Sequence, residues 1–147
     1  MTSTRPITPA TSADLYSDIQ RFYAFQMQLL DDGKVEEWSE TFTDDGVFAV
    51  NSRPGSTIGR AAICAAARHT VEQLAADRII RRHWLGMLVT EDRPDGTVSV
   101  RSYAPLLETP VGGSTRLLMS TVCEDVLVRV GEGWQVRERQ VLRDGVA

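Results

Sequence analysis

The chain reads as one α+β domain in which helices come first and an antiparallel sheet follows. Three observations predict this. Apolar residues recur at helical spacing through the first half, and long runs rich in Val, Leu and Thr, separated by glycine-bearing turns, fill the second. The helices are gathered early and the strands late, which is the α+β pattern rather than an alternating βαβ one. A length of 147 residues, 42% apolar and 24% charged, suits a single core.

Residues 1–10 are rich in Thr and Pro and read as a flexible arm, and residues 11–147 as a single domain. Thr11 offers an N-cap, with Asp14 three residues on as its capping-box partner. Leu15, Ile19, Phe22, Tyr23, Gln26, Leu29 and Leu30 then mark one face of a helix over residues 12–31, stopped by Asp32-Gly33. A short helix is predicted at 34–42, carrying Val35, Trp38 and Phe42, then a strand at 47–50 and a loop at 51–57. The Ala-rich stretch 59–76 predicts a third helix. Four strands follow at 78–90, 97–109, 115–130 and 134–142. Pro94-Asp95-Gly96, Gly112-Gly113 and Gly131-Glu132-Gly133 supply the tight turns that make neighbours antiparallel.

A net charge of −4 argues against nucleic acid and anionic membrane as partners, since both need a basic surface. Lys34 is the only lysine among 16 basic residues, a skew attributable to a GC-rich genome. No apolar run approaches the roughly 20 residues of a membrane helix, and the first residues lack the apolar segment of a signal peptide, so a cytoplasmic location is expected. Cys64 and Cys123 are expected to be buried thiols. The absence of CxxC, HxH, HExxH and a Gly-rich nucleotide loop gives no sequence support for a metal or cofactor.

Strand alternation places His83, Leu85, Met87 and Val89 on one face of the 78–90 strand and Trp84 and Leu88 on the other. If His83 faces the helices, Trp84 needs another cover, and a second copy of the chain is the simplest one, giving a homodimer through the outer sheet face. His83, amid apolar neighbours, is the first candidate for chemistry, because imidazole is the side chain best suited to move a proton near neutral pH. The alternative is a buried histidine held by one hydrogen bond. Asp31, at a helix C-terminus where a carboxylate opposes the macrodipole, is the second candidate and could orient His83; the alternative is a solvated helix end. Trp134, Val136, Glu138 and Gln140 share a face by the same alternation. Phe22, Tyr23, Trp38, Leu85, Met87, Tyr103, Cys123, Val136 and Glu138 are the candidate cavity-lining residues, with Glu108 and Ser120 nearby. His69 reads as a surface residue.

The stretch Leu29 to Trp38 with Phe42-Thr43-Asp44-Asp45, the Ile58 to Ile63 start of the third helix, Arg82-His83-Trp84-Leu85-Gly86 and Gly133-Trp134-Gln135-Val136 together resemble the SnoaL-like group of the nuclear transport factor 2-like superfamily. The resemblance covers nearly the whole chain from Ser12. It implies a cystatin-like α+β roll, a cone-shaped curved sheet wrapped by helices around a cavity. The group's relatives include polyketide cyclases, scytalone dehydratase, a dehydrochlorinase, ketosteroid isomerase and small subunits of ring-hydroxylating dioxygenases. The Asp/His pair of scytalone dehydratase and the dehydrochlorinase falls on Asp31 and His83. Leu30 stands where scytalone dehydratase has a tyrosine, and Glu108 and Cys123 stand where it has a histidine and an asparagine. The resemblance implies a cofactor-independent cyclase, dehydratase or isomerase acting on a small, apolar, oxygenated molecule. A non-catalytic oxygenase subunit and a ligand carrier are the alternatives.

Overall fold

The computed structural model describes residues 12–147. The arm expected over residues 1–10 and the Thr11 cap lie outside them. The first helix, α1 (Ala13–Asp31), is capped by Ser12, whose hydroxyl oxygen accepts from the Leu15 amide at 3.2 Å. It buries Ile19, Tyr23, Gln26, Met27 and Leu29. It ends as the sequence predicts. Gly33 adopts a left-handed conformation, φ +77°, and the Gly33 and Lys34 amides donate back to the Leu30 and Leu29 carbonyls. That pair of bonds satisfies carbonyls that a helix end otherwise leaves open. α2 (Val35–Ser39) is shorter than expected, because Phe42 opens the first strand instead of closing the helix. α3 (Arg60–Asp77) occupies the expected Ala-rich stretch. No helix among the described residues is long and apolar enough to cross a membrane.

Among the described residues nine strands form two sheets. β1 (Phe42–Val50), β2 (Ser56–Ile58), β4 (Gly86–Asp92), β5 (Val98–Tyr103), β8 (Thr121–Val130) and β9 (Gly133–Arg143) make a six-stranded sheet in the order β2-β1-β9-β8-β5-β4. β3 (Ile79–His83), β6 (Leu106–Pro110) and β7 (Arg116–Met119) make a three-stranded sheet in the order β3-β6-β7. Three of the long strands expected from sequence are each broken in two. The breaks fall at Trp84-Leu85, Ala104-Pro105 and Ser120. Backbone bonds from Trp84 to Pro105 and from Ala104 to Thr121 tie the breaks together along one bend, and Pro105 has no amide to continue a ladder there. One pairing also departs from the antiparallel expectation: β1 runs parallel to β9. Part of the expected 51–57 loop is strand β2, antiparallel to β1.

Two bulges change which side chains face inward. In β4, Met87 and Leu88 together oppose the single residue Ser102, and Met87 sits at φ +55°. A one-residue slip moves every later side chain to the other face. Leu88, expected outside, is therefore buried in the core, while Met87, expected inside, is 76% exposed and Val89 also turns outward. In β9, Arg137 is extra between the Leu127–Val136 and Val126–Glu138 pairs. Trp134 and Val136 point inward before it. After it Glu138 is exposed and Arg139 takes the inward place.

The core gathers Ile19 and Tyr23 from α1, Trp38 and Phe42, and Leu88, Val98, Val100, Leu127 and Val136 from the sheet. Within it lies a buried polar network that sequence reading misses. Arg139 is 4% exposed and donates to both carboxylate oxygens of Asp125, at 3.0 and 2.9 Å, and to Gln26 Oε1 at 2.8 Å. Tyr23 donates its hydroxyl to Asp125 at 2.7 Å, and Gln26 donates to Thr41 at 2.7 Å. Burial opposes the charge on Arg139, and Asp125 overrides it, so the guanidinium holds its proton more tightly than free arginine. Burial foremost, then the Asp125 charge, pushes Tyr23 and Cys123 well above their ordinary values.

Arg139→Ala, which leaves Asp125 buried without its ion pair, should cost about 3–5 kcal/mol in urea unfolding. Tyr23 and Cys123 bind their protons more tightly folded than unfolded. Their contribution is therefore complete below the ordinary values of 10.0 and 9.0 and is lost as pH rises past them. The urea midpoint should fall between pH 9 and 11, and a Tyr23→Phe/Cys123→Ala variant should show a flatter decline over the same interval.

Candidate active site

A cavity of about 610 Å³ lies between α1, α3 and the inner faces of both sheets. Its walls are mostly apolar: Leu30 from α1, Trp38 from α2, Phe48 and Val50 from β1, Leu85 from the break between β3 and β4, and Leu106 and Val141 from the sheets. One long wall is α3. That helix fully buries only Ile63, yet Ile63, Ala67, Val71 and Leu74 repeat at helical spacing along it and all line the cavity. An apolar stripe that borders empty space instead of packed side chains explains why so little of this helix is buried.

At one end stands a carboxylate–imidazole pair. His83 Nδ1 lies 2.6 Å from Asp31 Oδ1, and the His83 backbone amide donates to Asp31 Oδ2 at 3.0 Å. The Asp31 side chain is 7% exposed. Two features of the fold produce this contact. Asp31 is the last residue of α1, where the helix carbonyls repel a carboxylate, so it requires donors from elsewhere. His83 ends β3, an edge strand with an open hydrogen-bonding side, and its amide is free to supply one. A carboxylate only accepts, so Nδ1 carries the hydrogen and Nε2 is left as the basic nitrogen. His83 lines the cavity, and Nε2 has no protein partner among the described residues. The pair can therefore take a proton from, and return it to, a molecule in the cavity.

Arg139 lines the same cavity from β9. Its Nε and Nη2 serve Asp125 and Gln26, and Nη1 has no partner among the described residues, so it can donate to an oxygen of a bound molecule. Gln26 and Asp31 both belong to α1, five residues apart, a rise of about 7.5 Å. The guanidinium and the imidazole are thus anchored to one rigid element.

The candidate lining residues divide. Trp38, Leu85 and Cys123 line the cavity beside Asp31 and His83. Six others do not. Phe22 faces a separate surface groove with Arg129 and Trp134. Tyr23 and Val136 are packed in the core, and Met87, Tyr103 and Glu138 point outward. The bulges account for Met87 and Glu138, and Val136 lies on the inner face over solid core rather than over the cavity. Tyr103 is 48% exposed beneath the Arg101 guanidinium. Glu108 is buried between Arg81 and Arg116, which, against the cost of burial, hold its carboxyl below the usual range. Ser120 bonds Asp144 on the surface, His69 is exposed, and Cys64 is only half-buried. Cys123, with its thiol pushed up by burial, keeps its proton at neutral pH. Among the described residues no group of three His, Cys, Asp or Glu side chains is placed to hold a metal ion.

The model of the SnoaL-like domain matches residues 11–140. No curated protein matches the chain. Among solved structures, ActVI-ORFA from Streptomyces coelicolor is 30% identical, with a TM-score of 0.85 over 92% of this chain and 99% of its own. A protein from Catenulispora acidiphila in complex with S-DNPA is 37% identical, with a TM-score of 0.77 over 90% of this chain and 96% of its own. A Novosphingobium aromaticivorans protein described as the beta subunit of an aromatic-ring-hydroxylating dioxygenase is 22% identical, with a TM-score of 0.72 over 92% of this chain and 93% of its own, and shares the fold.

In nitrogen-15 NMR, neutral His83 should show the tautomer protonated at Nδ1. Asp31→Asn should weaken that preference, because an amide can either donate or accept at the same position.

Proposed function

The chain belongs to the SnoaL-like family, and from that membership we propose that it is a cofactor-independent enzyme. It acts on a small, apolar, oxygenated molecule by moving protons, in a cyclisation, dehydration or isomerisation. The family includes polyketide cyclases and dehydratases, which supports an enzymatic role at that level. The observation that carries the reading is the 2.6 Å contact between Asp31 and His83 Nδ1 at the wall of a mostly apolar cavity. A structure 37% identical, solved in complex with S-DNPA, supports ligand binding by this chain.

In this reading a C–H next to a carbonyl lies against His83. Nε2 removes the proton, and the negative charge that develops moves onto the carbonyl oxygen. Asp31, fixed by the His83 amide as well as the ring, holds the imidazole in orientation and balances the imidazolium that forms. Arg139 Nη1 is the donor available to the developing oxyanion, and its pairing with Asp125 fixes it in place before the reaction begins. The proton held on Nε2 is then returned to carbon, for isomerisation, or to a leaving hydroxyl, for dehydration.

Partners follow from the outer face. Trp84 (69%), Met87 (76%), Val89 and Tyr103 are exposed on and beside β4, the edge of the larger sheet. We infer that a second copy of the chain covers them. Met87 joins Trp84 there in place of the expected Leu88. Sedimentation at micromolar concentration should show a dimer, and Trp84→Lys with Met87→Lys should give a folded monomer. A monomeric wild-type chain would refute this assembly.

The chemistry can be tested without the natural substrate. Hydrogen–deuterium exchange at the acidic C1 position of 2-tetralone in D₂O, followed by proton NMR, should be accelerated by the protein. His83→Ala should remove about 10²- to 10⁴-fold of that acceleration, with circular dichroism unchanged, and Asp31→Asn a smaller part of it. A wild-type exchange rate from folded His83→Ala would rule out the dyad.

A further inference from the structure

Among the described residues four arginines line the cavity: Arg53, Arg81, Arg139 and Arg143. Two are neutralised by buried carboxylates, Arg81 by Glu108 at 3.0 Å and Arg139 by Asp125 at 2.9 Å. The other two, Arg53 and Arg143, have no ion-pair partner among the described residues. Both are exposed, so they stand where the cavity meets solvent.

Their placement is constrained by the backbone. The Arg143 backbone amide donates to Asn51 Oδ1 at 2.8 Å, and Asn51 Nδ2 donates back to the Arg143 carbonyl at 3.2 Å. This reciprocal clamp fixes the end of β9 against the turn that follows β1, and that turn carries Arg53 two residues on. Arg139, Val141 and Arg143 alternate along β9 and all line the cavity, so a row about 13 Å long runs from the buried guanidinium to the exposed one. The acids of the lining, Asp31 and Asp32, belong to the α1 end beside His83. The unpaired cations of the lining thus lie on β9 and the turn after β1, and its acids at the end of α1, in a chain whose net charge is −4.

We propose that the substrate is an anion: an apolar, ring-bearing molecule whose carboxylate is held by Arg53 and Arg143 while a carbon remote from that group meets His83. The inference rests on the reading of His83 and Asp31 as the reacting end. Guanidinium recognises carboxylate through paired N–H donors. A charge seated at the mouth stays hydrated, so the apolar body enters without desolvating it.

The test compares 2-naphthoate with its uncharged analogue 2-naphthamide, with binding followed by ligand fluorescence. The wild-type chain should bind naphthoate roughly fivefold to tenfold more tightly at low salt, with the preference shrinking at 0.5 M salt. Arg53→Gln/Arg143→Gln should abolish the preference and leave naphthamide affinity unchanged. His83→Ala should retain it. Equal affinities in the wild type would overturn the proposal and leave the dyad to the tetralone exchange. A preference that survives in the double arginine variant would also overturn it, since the charge would then be read elsewhere. Loss of the preference in His83→Ala would move the carboxylate to the reacting end and overturn the proposal as well. Failure of both ligands to bind at millimolar concentration would overturn the reading of the cavity along with it.

Discussion

The buried pair of Arg139 and Asp125 is the constraint on which the remaining geometry depends. An unpaired charge at 4% exposure is untenable, so each group requires the other. Their surplus hydrogen-bonding capacity then requires Tyr23 and Gln26. Both of these lie on α1, whereas Arg139 and Asp125 lie on adjacent strands of the larger sheet. The network therefore fixes the rotation and the depth of the helix against the sheet with directional bonds. Apolar contacts alone could let α1 slide or turn.

Asp31 lies little more than one turn beyond Gln26, so its position follows from the same anchor. The Gly33 stop ends the helix there and aims the chain away, leaving the carboxylate in the wall of the cavity. His83 arrives from the other direction, at the end of an edge strand in the smaller sheet. The smaller sheet and α1 thus meet at this hydrogen-bonded contact. A substitution in the buried network can disturb that contact without touching either of its members.

Much of this was legible in the sequence where local rules act alone. The helical periodicity and the Asp32-Gly33 stop located α1 and its last acidic residue, and a histidine among apolar strand residues stood out. The unfavourable position of Asp31 at a helix end was itself a physical signal that a partner existed. What was not legible came from tertiary choices that leave no local mark. A bulge costs one residue of alternation; Gly86 is the one mark beside the first, and nothing in Val136-Arg137-Glu138 announces the second. Arg137 and Arg139 flank the same glutamate and look alike, yet one is part-exposed and the other holds the core together. The only available hint was the pair of unexplained polar residues Gln26 and Tyr23 on the apolar face of α1. The parallel pairing of β1 with β9 joins residues almost a hundred positions apart, beyond the reach of any turn signal.

The alanine-rich wall of α3 has a consequence for how such a protein diversifies. Ala66, Ala67 and Ala75 border the cavity on a helix that buries only Ile63 and contributes neither member of the dyad. Larger side chains there would reshape the space from one side while the backbone, the buried ion pair and the proton-transfer contact stayed as they are. Substrate range and chemical step are held on separate elements. Descendants of this chain could exchange one molecule for another by a few changes in helix volume, and the reaction would pass unaltered from lineage to lineage.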